Sequence, residues 1–459
     1  MKVLKKYGLN LLIWVILTGI IIVRLTSYGD FKLSIANADT TSYIEGAAAP
    51  IVSKDILTRG RLLTTNLLYY LADVQKCKIQ ALSFPALGAE TYRAIQPCFD
   101  RIVFFQNILS IIAWGILALV VSKRLSGGYE KLLAVSLITA FGFTPAIADW
   151  DSILGSESLT FSLFAISVAL VIEVCFNIVA AENNRKYSIS ITGLAIAALV
   201  LLAFTRDANI YMLAVLLVMS IITTIIFPSI RKNIILLISI AVLFTITVVG
   251  LQGAMLSRRW EAPMTNVFHD LILPYPARVE FMQSLGMPDP ASAEYSKWFI
   301  RSAPRAYARY LLFHPRYTLA SFTGELGGIF SENAQPYFFS EQTSARKALV
   351  ATNDILHPTT HLVFVLDILL MAGLIFSAFR RKNNNFTNWV WLGIWLFFSA
   401  SLTLVVSFFA DSIGVTRHTM FAVEMFRLLM WIFLIILFDQ ANRKDEEVKN
   451  STSQVTLEA

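Results

Sequence analysis

Ten long apolar stretches constrain this chain most strongly. They lie near residues 9–23, 103–121, 132–148, 158–180, 188–204, 209–227, 233–251, 361–379, 388–409 and 419–438. A helix of roughly 17 or more apolar residues crosses about 30 Å of hydrocarbon. The 459 residues are 56% hydrophobic and only 15% charged, whereas a soluble domain carries about 25% charged residues. This excludes a cytosolic enzyme and a disordered chain, and it predicts an all-α polytopic membrane protein with about ten transmembrane helices.

The short basic segments predict the orientation of these spans. They are Lys2/Lys5/Lys6, Lys123/Arg124/Lys131, Arg185/Lys186, Arg231/Lys232, Arg380/Arg381/Lys382 and Arg443/Lys444/Lys449. All of them fall on one side when the N-terminus is inside, and positive short loops face the cytoplasm. We therefore expect both termini to be cytoplasmic in a multi-pass plasma (inner) membrane protein. The net charge of +7 is then an orientation signal, so membrane lipids are expected partners and nucleic acid is not.

The spans divide the chain into four segments. Residues 1–251 form an N-terminal transmembrane module with a first outer loop at 24–102 and an acidic loop at 149–157. A large extracytoplasmic region follows at 252–360, then C-terminal transmembrane helices at 361–438 and a disordered cytoplasmic tail at 439–459. The two larger outer loops are expected to contain amphipathic helices.

The first apolar stretch has some features of a signal peptide, because lysines precede it and Ala36-Asn37-Ala38 is similar to a cleavage site. Some fifteen residues, among them Arg24, Asp30 and Lys32, separate the apolar stretch from that site. This spacing is too long for a cleaved signal and favours an uncleaved anchor.

The three cysteines predict at most one disulfide. Cys77 and Cys98 share the first outer loop, where an oxidising compartment allows them to pair; the alternative is two unpaired thiols. Cys175 lies inside the fourth span and is expected to be a small packing residue. The sequence has no Cys/His pattern of the kind that binds zinc.

Asp39 is the first candidate for chemistry. It follows the first span within Asn37-Ala38-Asp39-Thr40-Thr41-Ser42-Tyr43. A carboxylate there could remove a proton from an attacking hydroxyl group. The alternative, which composition alone favours, is that Asp39 caps a short amphipathic helix.

The acidic loop at 149–157 is the second candidate. Asp149, Asp151 and Glu157 occupy nine residues between two spans with no basic residue beside them. Such a group suits a divalent cation, a polar acceptor or a base with a raised pKa. The alternative is an ordinary solvated loop in which Ser156 caps the fourth span.

Cationic residues recur at the predicted outer ends of spans. Arg206 closes the fifth span, Arg258 and Arg259 follow the seventh, and Arg417 and His418 precede the tenth. Guanidinium groups match phosphate oxygens, so several of them could hold a lipid phosphate. The alternative is snorkelling to phospholipid headgroups.

Arg305 belongs to a row with Arg301 and Arg309, spaced by four in the large outer region. Pro304 predicts that the helix carrying them starts nearby. The row indicates an interfacial amphipathic helix or a contact with an anionic substrate.

Histidines and ionisable residues at or within the later spans have simpler explanations. His357 and His361 are four residues apart, which is a weak metal signal and favours an interfacial role. We expect Glu424 and Arg427 to form a pair on the tenth span, and Asp367 to face the bundle interior.

The order of these parts resembles the GT-C superfamily of membrane glycosyltransferases, the class of the protein O-mannosyltransferases and the lipid A aminoarabinose transferase. The resemblance covers roughly the first 210 residues. Its parts are Asp39 after the first span, Arg59 and Arg61 in the first outer loop, Gln106 at the start of the second span and Ser156-Glu157-Ser158-Leu159; Thr416-Arg417-His418 adds to it near the end. The large outer region between the seventh and eighth spans departs from the oligosaccharyltransferase pattern.

The resemblance implies a sugar donor on a polyprenyl phosphate and a glycan, lipid or protein acceptor. Asp39 would be the catalytic base, and the 149–157 loop would shape the acceptor side. Arg206, Arg417 and His418 would stabilise the departing phosphate. A divalent cation is compatible with this chemistry, and the sequence does not require one.

Two other functions fit the sequence less well. A polysaccharide polymerase or ligase also has many spans and outer arginines, but it depends less on a base after the first span. A transporter would need polar residues near the middle of several spans, whereas those here gather at the outer ends.

Overall fold

The computed structural model describes residues 2–27, 33–37, 39–48, 53, 58, 60–79, 96–180, 185–228, 230–337, 344–381 and 384–458. Ala38 of the alternative cleavage site and Arg59 lie outside these residues. Within the described part, regular structure is helical apart from one parallel bridge between Ile35 and Ile153. The predicted all-α class is confirmed.

The helices follow the apolar pattern of the sequence. The first half of the chain forms α1 (Lys2–Ser27), α2 (Thr40–Ala48), α3 (Leu63–Leu71), α4 (Asp100–Arg124), α5 (Gly128–Phe143), α6 (Pro145–Ala148), α7 (Glu157–Ala180), α8 (Arg185–Ala203) and α9 (Ile210–Ile226). The second half forms α10 (Ile234–Ser257), α11 (Glu261–Val267), α12 (Pro276–Ser284), α13 (Ala293–Phe313), α14 (Pro315–Ser331), α15 (Ser344–Leu356), α16 (Leu362–Arg381), α17 (Asn384–Ala410) and α18 (Val415–Glu458). Short 3-10 turns lie at Pro97–Phe99, Asp149–Ser152 and Asp207–Asn209.

Each predicted span coincides with an apolar helix, so the protein is a multi-pass membrane protein. Within the described residues, nine single helices are long and apolar enough to cross a membrane, and the third predicted span is a helix pair bent by 45°. The bend lies where Thr144 is extended and Pro145 begins the second helix. Proline disfavours the helical conformation of the preceding residue and lacks an N–H donor, which explains the break.

Two local predictions differ from the structure. Pro304 lies inside α13 and does not mark its start; Ala303, Ala306 and Tyr307 are buried around it, and this packing offsets the lost hydrogen bond. The segment 439–459, predicted as a disordered tail, is helical up to Glu458. Its Lys and Glu residues have high helix propensity, which is compatible with a continued helix.

The predicted outer segments meet at one end of the bundle because successive spans alternate in direction. Residues 33–37 run beside 152–154: the Ile35 amide donates to the Ser152 carbonyl (2.9 Å), and the Leu154 amide donates to the Ile35 carbonyl (2.9 Å). The large region between α10 and α16 has a core of its own that includes Phe268, Met282 and Tyr307. It returns to the bundle through α15, which packs against α5 and α6.

Cys77 and Cys98 form a disulfide. It connects the segment after α3 to the turn that leads into α4, across 21 residues of sequence. Replacement of both cysteines by serine should lower the free energy of unfolding by about 3 kcal/mol, because an open loop of this length gains conformational entropy in the unfolded chain. Denaturation in mixed detergent micelles, followed by tryptophan fluorescence, measures the change. Cys175→Ser is the control, and equal unfolding free energies for the control and the double variant would contradict the prediction.

Candidate active site

Asp39 is placed by a turn that its neighbour Asn37 organises. The Asn37 side-chain oxygen accepts hydrogen bonds from the Asp39 amide (2.9 Å) and the Thr40 hydroxyl (3.2 Å). The Thr40 hydroxyl also donates to the Leu154 carbonyl (2.9 Å), which fixes the start of α2 against the segment before α7. The side-chain amide of Asn37 thus stabilises the turn. The carboxylate of Asp39 takes no part in these hydrogen bonds and can bind other groups.

Two arginines bind that carboxylate. The Arg61 guanidinium donates to one oxygen at 2.8 Å, and Arg417 lies 2.8 Å from the other. Arg61 is itself held by the Ser42 hydroxyl (2.6 Å) and lies over the Tyr43 ring, 4.3 Å from its centre. Arg417 lies at the start of α18, far from Asp39 in sequence, so only the packing of the bundle brings them together.

Arg417 also joins Asp39 to Glu157. Two of its nitrogens lie 2.8 Å from one oxygen of Glu157, whose side chain is only 1% exposed. One guanidinium nitrogen of Arg206 lies 3.9 Å from the same Glu157 oxygen. This distance allows an ion pair but is too long for a hydrogen bond. We call Asp39, Arg61, Glu157, Arg206 and Arg417 the arginine–carboxylate cluster.

Gly155 packs closely against this cluster. A Cβ atom on Gly155 would lie 2.4 Å from the far Glu157 oxygen and 3.3 Å from the Asn37 side-chain nitrogen. The Asn37 nitrogen is buried and has no hydrogen-bond partner among the described residues. An unsatisfied donor therefore lies beside Gly155, at the edge of the cluster.

The charges in the cluster do not balance. Three guanidinium groups meet two carboxylates, which leaves one positive charge. The side chains of Asp39 and Arg61 are 35% and 26% exposed, and those of Arg206 and Arg417 are 17% and 19% exposed. An anion can therefore reach the cluster, and guanidinium groups bind phosphate oxygens especially well.

The cluster controls the protonation of Asp39. Burial opposes ionisation of its carboxyl group, but the positive charges of Arg417 and Arg61 outweigh this effect and hold its pKa below the ordinary value. Asp39 is thus ionised at neutral pH and is a weak base while both arginines remain in place.

Asp149 and Asp151 lie apart from the cluster, each in a buried ion pair of its own. Asp149 pairs with Arg346 of α15 at 2.6 Å, and Asp151 pairs with Arg24 of α1 at 2.7 Å. The loop is therefore a buried turn that ties α1 and α15 to the bundle. Neither arginine was predicted to lie at this site, although Arg24 directly follows the first apolar stretch in the sequence.

The other predicted cations, apart from His418, make no described ion pair with the carboxylates of the cluster. Arg259 forms two 2.8 Å contacts with Asp207, and Arg258 pairs with Glu261 at 3.4 Å. Arg305 is exposed on α13. His418 lies next to Arg417 in sequence and 3.5 Å from Asp411.

Tyr337 was not predicted from the sequence. It lies under Arg417, with its ring centre 5.6 Å from the guanidinium carbon.

No group of three or more metal-binding side chains occurs in the part of the chain that the structure describes. Asp39 and Glu157 supply the hard oxygen ligands that a divalent cation prefers. Arg417 occupies the space between them.

Comparisons with known proteins found similar solved structures. The oligosaccharyltransferase AglB of Archaeoglobus fulgidus, in complex with an inhibitory peptide and a dolichol-phosphate, is 12% identical with a TM-score of 0.49 and covers 97% of this chain and 52% of its own. The same organism's oligosaccharyltransferase tethered to an acceptor peptide is 11% identical with a TM-score of 0.47, covering 96% and 51%. Its complex with Zn and sulfate is 11% identical with a TM-score of 0.43, covering 94% and 49%.

This chain therefore spans about half the length of these proteins. No protein-family model matches the sequence. A comparison with curated proteins found no similar sequence.

Proposed function

We propose that the protein is an integral-membrane glycosyltransferase. It transfers a sugar from a polyprenyl-phosphate donor to an extracytoplasmic acceptor, which is a glycolipid, a polysaccharide or a protein. The observation that carries this proposal is the arginine–carboxylate cluster, which joins an accessible ionised carboxylate to an excess positive charge at one end of a membrane bundle. Transfer from a sugar phosphate to a hydroxyl group presents the two partners that such a cluster can bind: a phosphate anion for the guanidinium groups and a hydroxyl proton for the carboxylate.

Arg206 and Arg417 bind the donor phosphate in this proposal. Arg206 has the weakest tie of the three arginines to a carboxylate, at 3.9 Å. Arg417 bridges the two carboxylates, so a phosphate bound by both arginines would draw Arg417 away from Asp39. Both residues lie at the end of helices that are apolar along their length, where a lipid chain would lie beside them.

Asp39 is the base of the proposed reaction. The oxygen of the acceptor hydroxyl bonds to the anomeric carbon, the bond from that carbon to the phosphate oxygen breaks, and the hydroxyl proton passes to Asp39. Attack opposite to the leaving phosphate inverts the configuration. The arginines stabilise the negative charge that develops on the phosphate, as preorganised cations do in a poorly hydrated site.

Binding of the donor would also activate Asp39. When Arg417 turns to the phosphate, Asp39 loses one of the two charges that lower its pKa, so it becomes a stronger base only with the donor in place. The arginines supply the positive charge in this reaction. A divalent cation between Asp39 and Glu157 would have to displace Arg417 first.

The side of the membrane follows from the basic segments of the sequence. They predict cytoplasmic termini, which places the arginine–carboxylate cluster on the extracytoplasmic side. Reporter fusions within residues 149–157 test this, since a cytoplasmic signal there would contradict the proposed location of the site.

Binding of undecaprenyl phosphate to the purified protein tests the phosphate site. We expect the parent protein to bind undecaprenyl phosphate and not undecaprenol, which lacks the phosphate, in native mass spectrometry. Arg206→Gln should weaken binding about tenfold or more, since a hydrogen bond to a charged group contributes about 1.5–3 kcal/mol.

Arg258→Gln is the matched control, because this arginine is exposed and its only described acidic partner is Glu261. Equal binding of the phosphate and the alcohol, or equal weakening by both variants, would contradict the proposal.

A further inference from the structure

A cavity of about 500 Å³ lies at the end of the bundle that carries the arginine–carboxylate cluster. One wall is a face of α14, where Tyr317, Ala320, Ser321 and Gly324 follow helical spacing. The opposite wall is the corner between α17 and α18. Its volume is within the range of small-molecule sites.

The cavity and the arginine–carboxylate cluster share the α17–α18 corner. Asp411 lines the cavity and lies 3.5 Å from His418. Val415 also lines it, two residues before Arg417 on α18. The helix corner that lines the cavity therefore also carries Arg417, one of the two proposed phosphate-binding arginines.

The lining combines aromatic rings with oxygen acceptors. Phe408 and Phe409 lie edge to face at 4.7 Å, and Tyr317 faces the cavity from α14. Asp411 and Glu325 contribute carboxylates, and Ser412 contributes a hydroxyl that donates to Asp270 at 2.7 Å. None of the described lining residues is lysine or arginine, although the Arg278 guanidinium lies over the Tyr317 ring, 4.5 Å from its centre.

From this lining we infer that the cavity is a subsite for a sugar ring that carries no acidic group. Aromatic faces pack against the C–H faces of a sugar, and carboxylates accept hydrogen bonds from its hydroxyl groups. The carboxylates disfavour an anionic ring, and the phosphate is left to the neighbouring arginines. The inference rests on the proposed glycosyl transfer and identifies where the uncharged part of a substrate binds, whether that ring belongs to the donor or to the acceptor.

Gly324 provides a selective test. A Cβ atom at this position meets no atom within 4 Å, and the same is true of Gly327 one turn further along α14. Only Gly324 lines the cavity. Leucine has a higher helix propensity than glycine, so Gly324→Leu fills the cavity without weakening α14, and Gly327→Leu is the matched control.

Saturation-transfer NMR on the purified full-length protein measures binding with methyl β-D-glucopyranoside as the probe. We expect signals from its ring protons with the parent and with Gly327→Leu, and their loss with Gly324→Leu. Methyl β-D-glucuronide should bind at least about tenfold more weakly, because its carboxylate would lie against like charges. The absence of glucoside signals with the parent, or their persistence in Gly324→Leu, would overturn the inference.

Competition identifies the source of the ring. Displacement of the glucoside by polyprenyl-phosphate glucose, but not by undecaprenyl phosphate, assigns the ring to the donor. Displacement by water-soluble glycans released from the membrane assigns it to the acceptor. Displacement by undecaprenyl phosphate alone would mean that the cavity holds the lipid, which contradicts the inference. Glucoside binding does not depend on Arg206, so it can fail or succeed independently of the phosphate-site test.

Discussion

Replacement of Asp39 by asparagine is expected to lower the rate of sugar transfer by about 10²- to 10⁴-fold, the usual contribution of a positioned general base. Asparagine keeps the size of the side chain but cannot accept the proton. The measurement is sugar transfer by the purified protein, supplied with a polyprenyl-phosphate sugar pool and a membrane extract that contains the acceptor.

Binding should separate a chemical role of Asp39 from a structural one. Asp39→Asn removes a negative charge beside Arg417 and Arg61, so undecaprenyl phosphate should bind this variant at least as tightly as the parent. Glu45→Gln on the exposed face of the same helix, α2, is the control and should transfer at the parental rate. If Asp39→Asn and Glu157→Gln both transferred at the parental rate, the assignment of the base would be wrong.

Replacement of Arg427 by methionine should lower the free energy of unfolding by about 3–5 kcal/mol, because it leaves a buried charge without its partner. Arg427 and Glu424 are fully or almost fully buried and lie 2.5 Å apart. Arg427 also donates to the carbonyl groups of Phe330 and Pro358, at 2.8 and 3.1 Å. The substitution thus leaves the Glu424 carboxylate with His357 alone and leaves several carbonyl groups without their donor.

The measurement is unfolding in mixed detergent micelles. Arg301→Met is the matched control, since Arg301 is exposed on α13 and its replacement should change the unfolding free energy by less than about 0.5 kcal/mol. An Arg427→Met protein as stable as this control would show that Glu424 is satisfied by His357, which lies 2.6 Å from it, without the arginine.

The sequence was informative where one local property decides the outcome. The length of an apolar run determines whether a helix can cross hydrocarbon, and all ten predicted spans coincide with apolar helices or, for the third, a bent helix pair. The Glu424–Arg427 pair was also predictable, because residues three apart share a helix face. Asp367, expected to face the bundle interior, is fully buried.

The acidic loop at 149–157 shows where a prediction from neighbouring residues failed. Asp149 and Asp151 have no basic neighbours in sequence, so they were expected to be available for chemistry or solvent. Their partners Arg346 and Arg24 are 197 and 127 residues away. Burying an ionised carboxylate without a partner is costly, but the sequence does not indicate which distant arginine meets it.

The sequence by itself determined that this chain crosses the membrane repeatedly and that the predicted outer ends of its spans carry carboxylates and arginines, because hydrophobic length and charge placement are properties of each segment alone. Only the tertiary structure decided which of these groups form a site. It joined Arg417 to Glu157 across 260 residues and assigned Asp149 and Asp151 to buried ion pairs. The physical reason is that ion pairing depends on distances of a few ångströms, and the packing of helices far apart in sequence sets those distances.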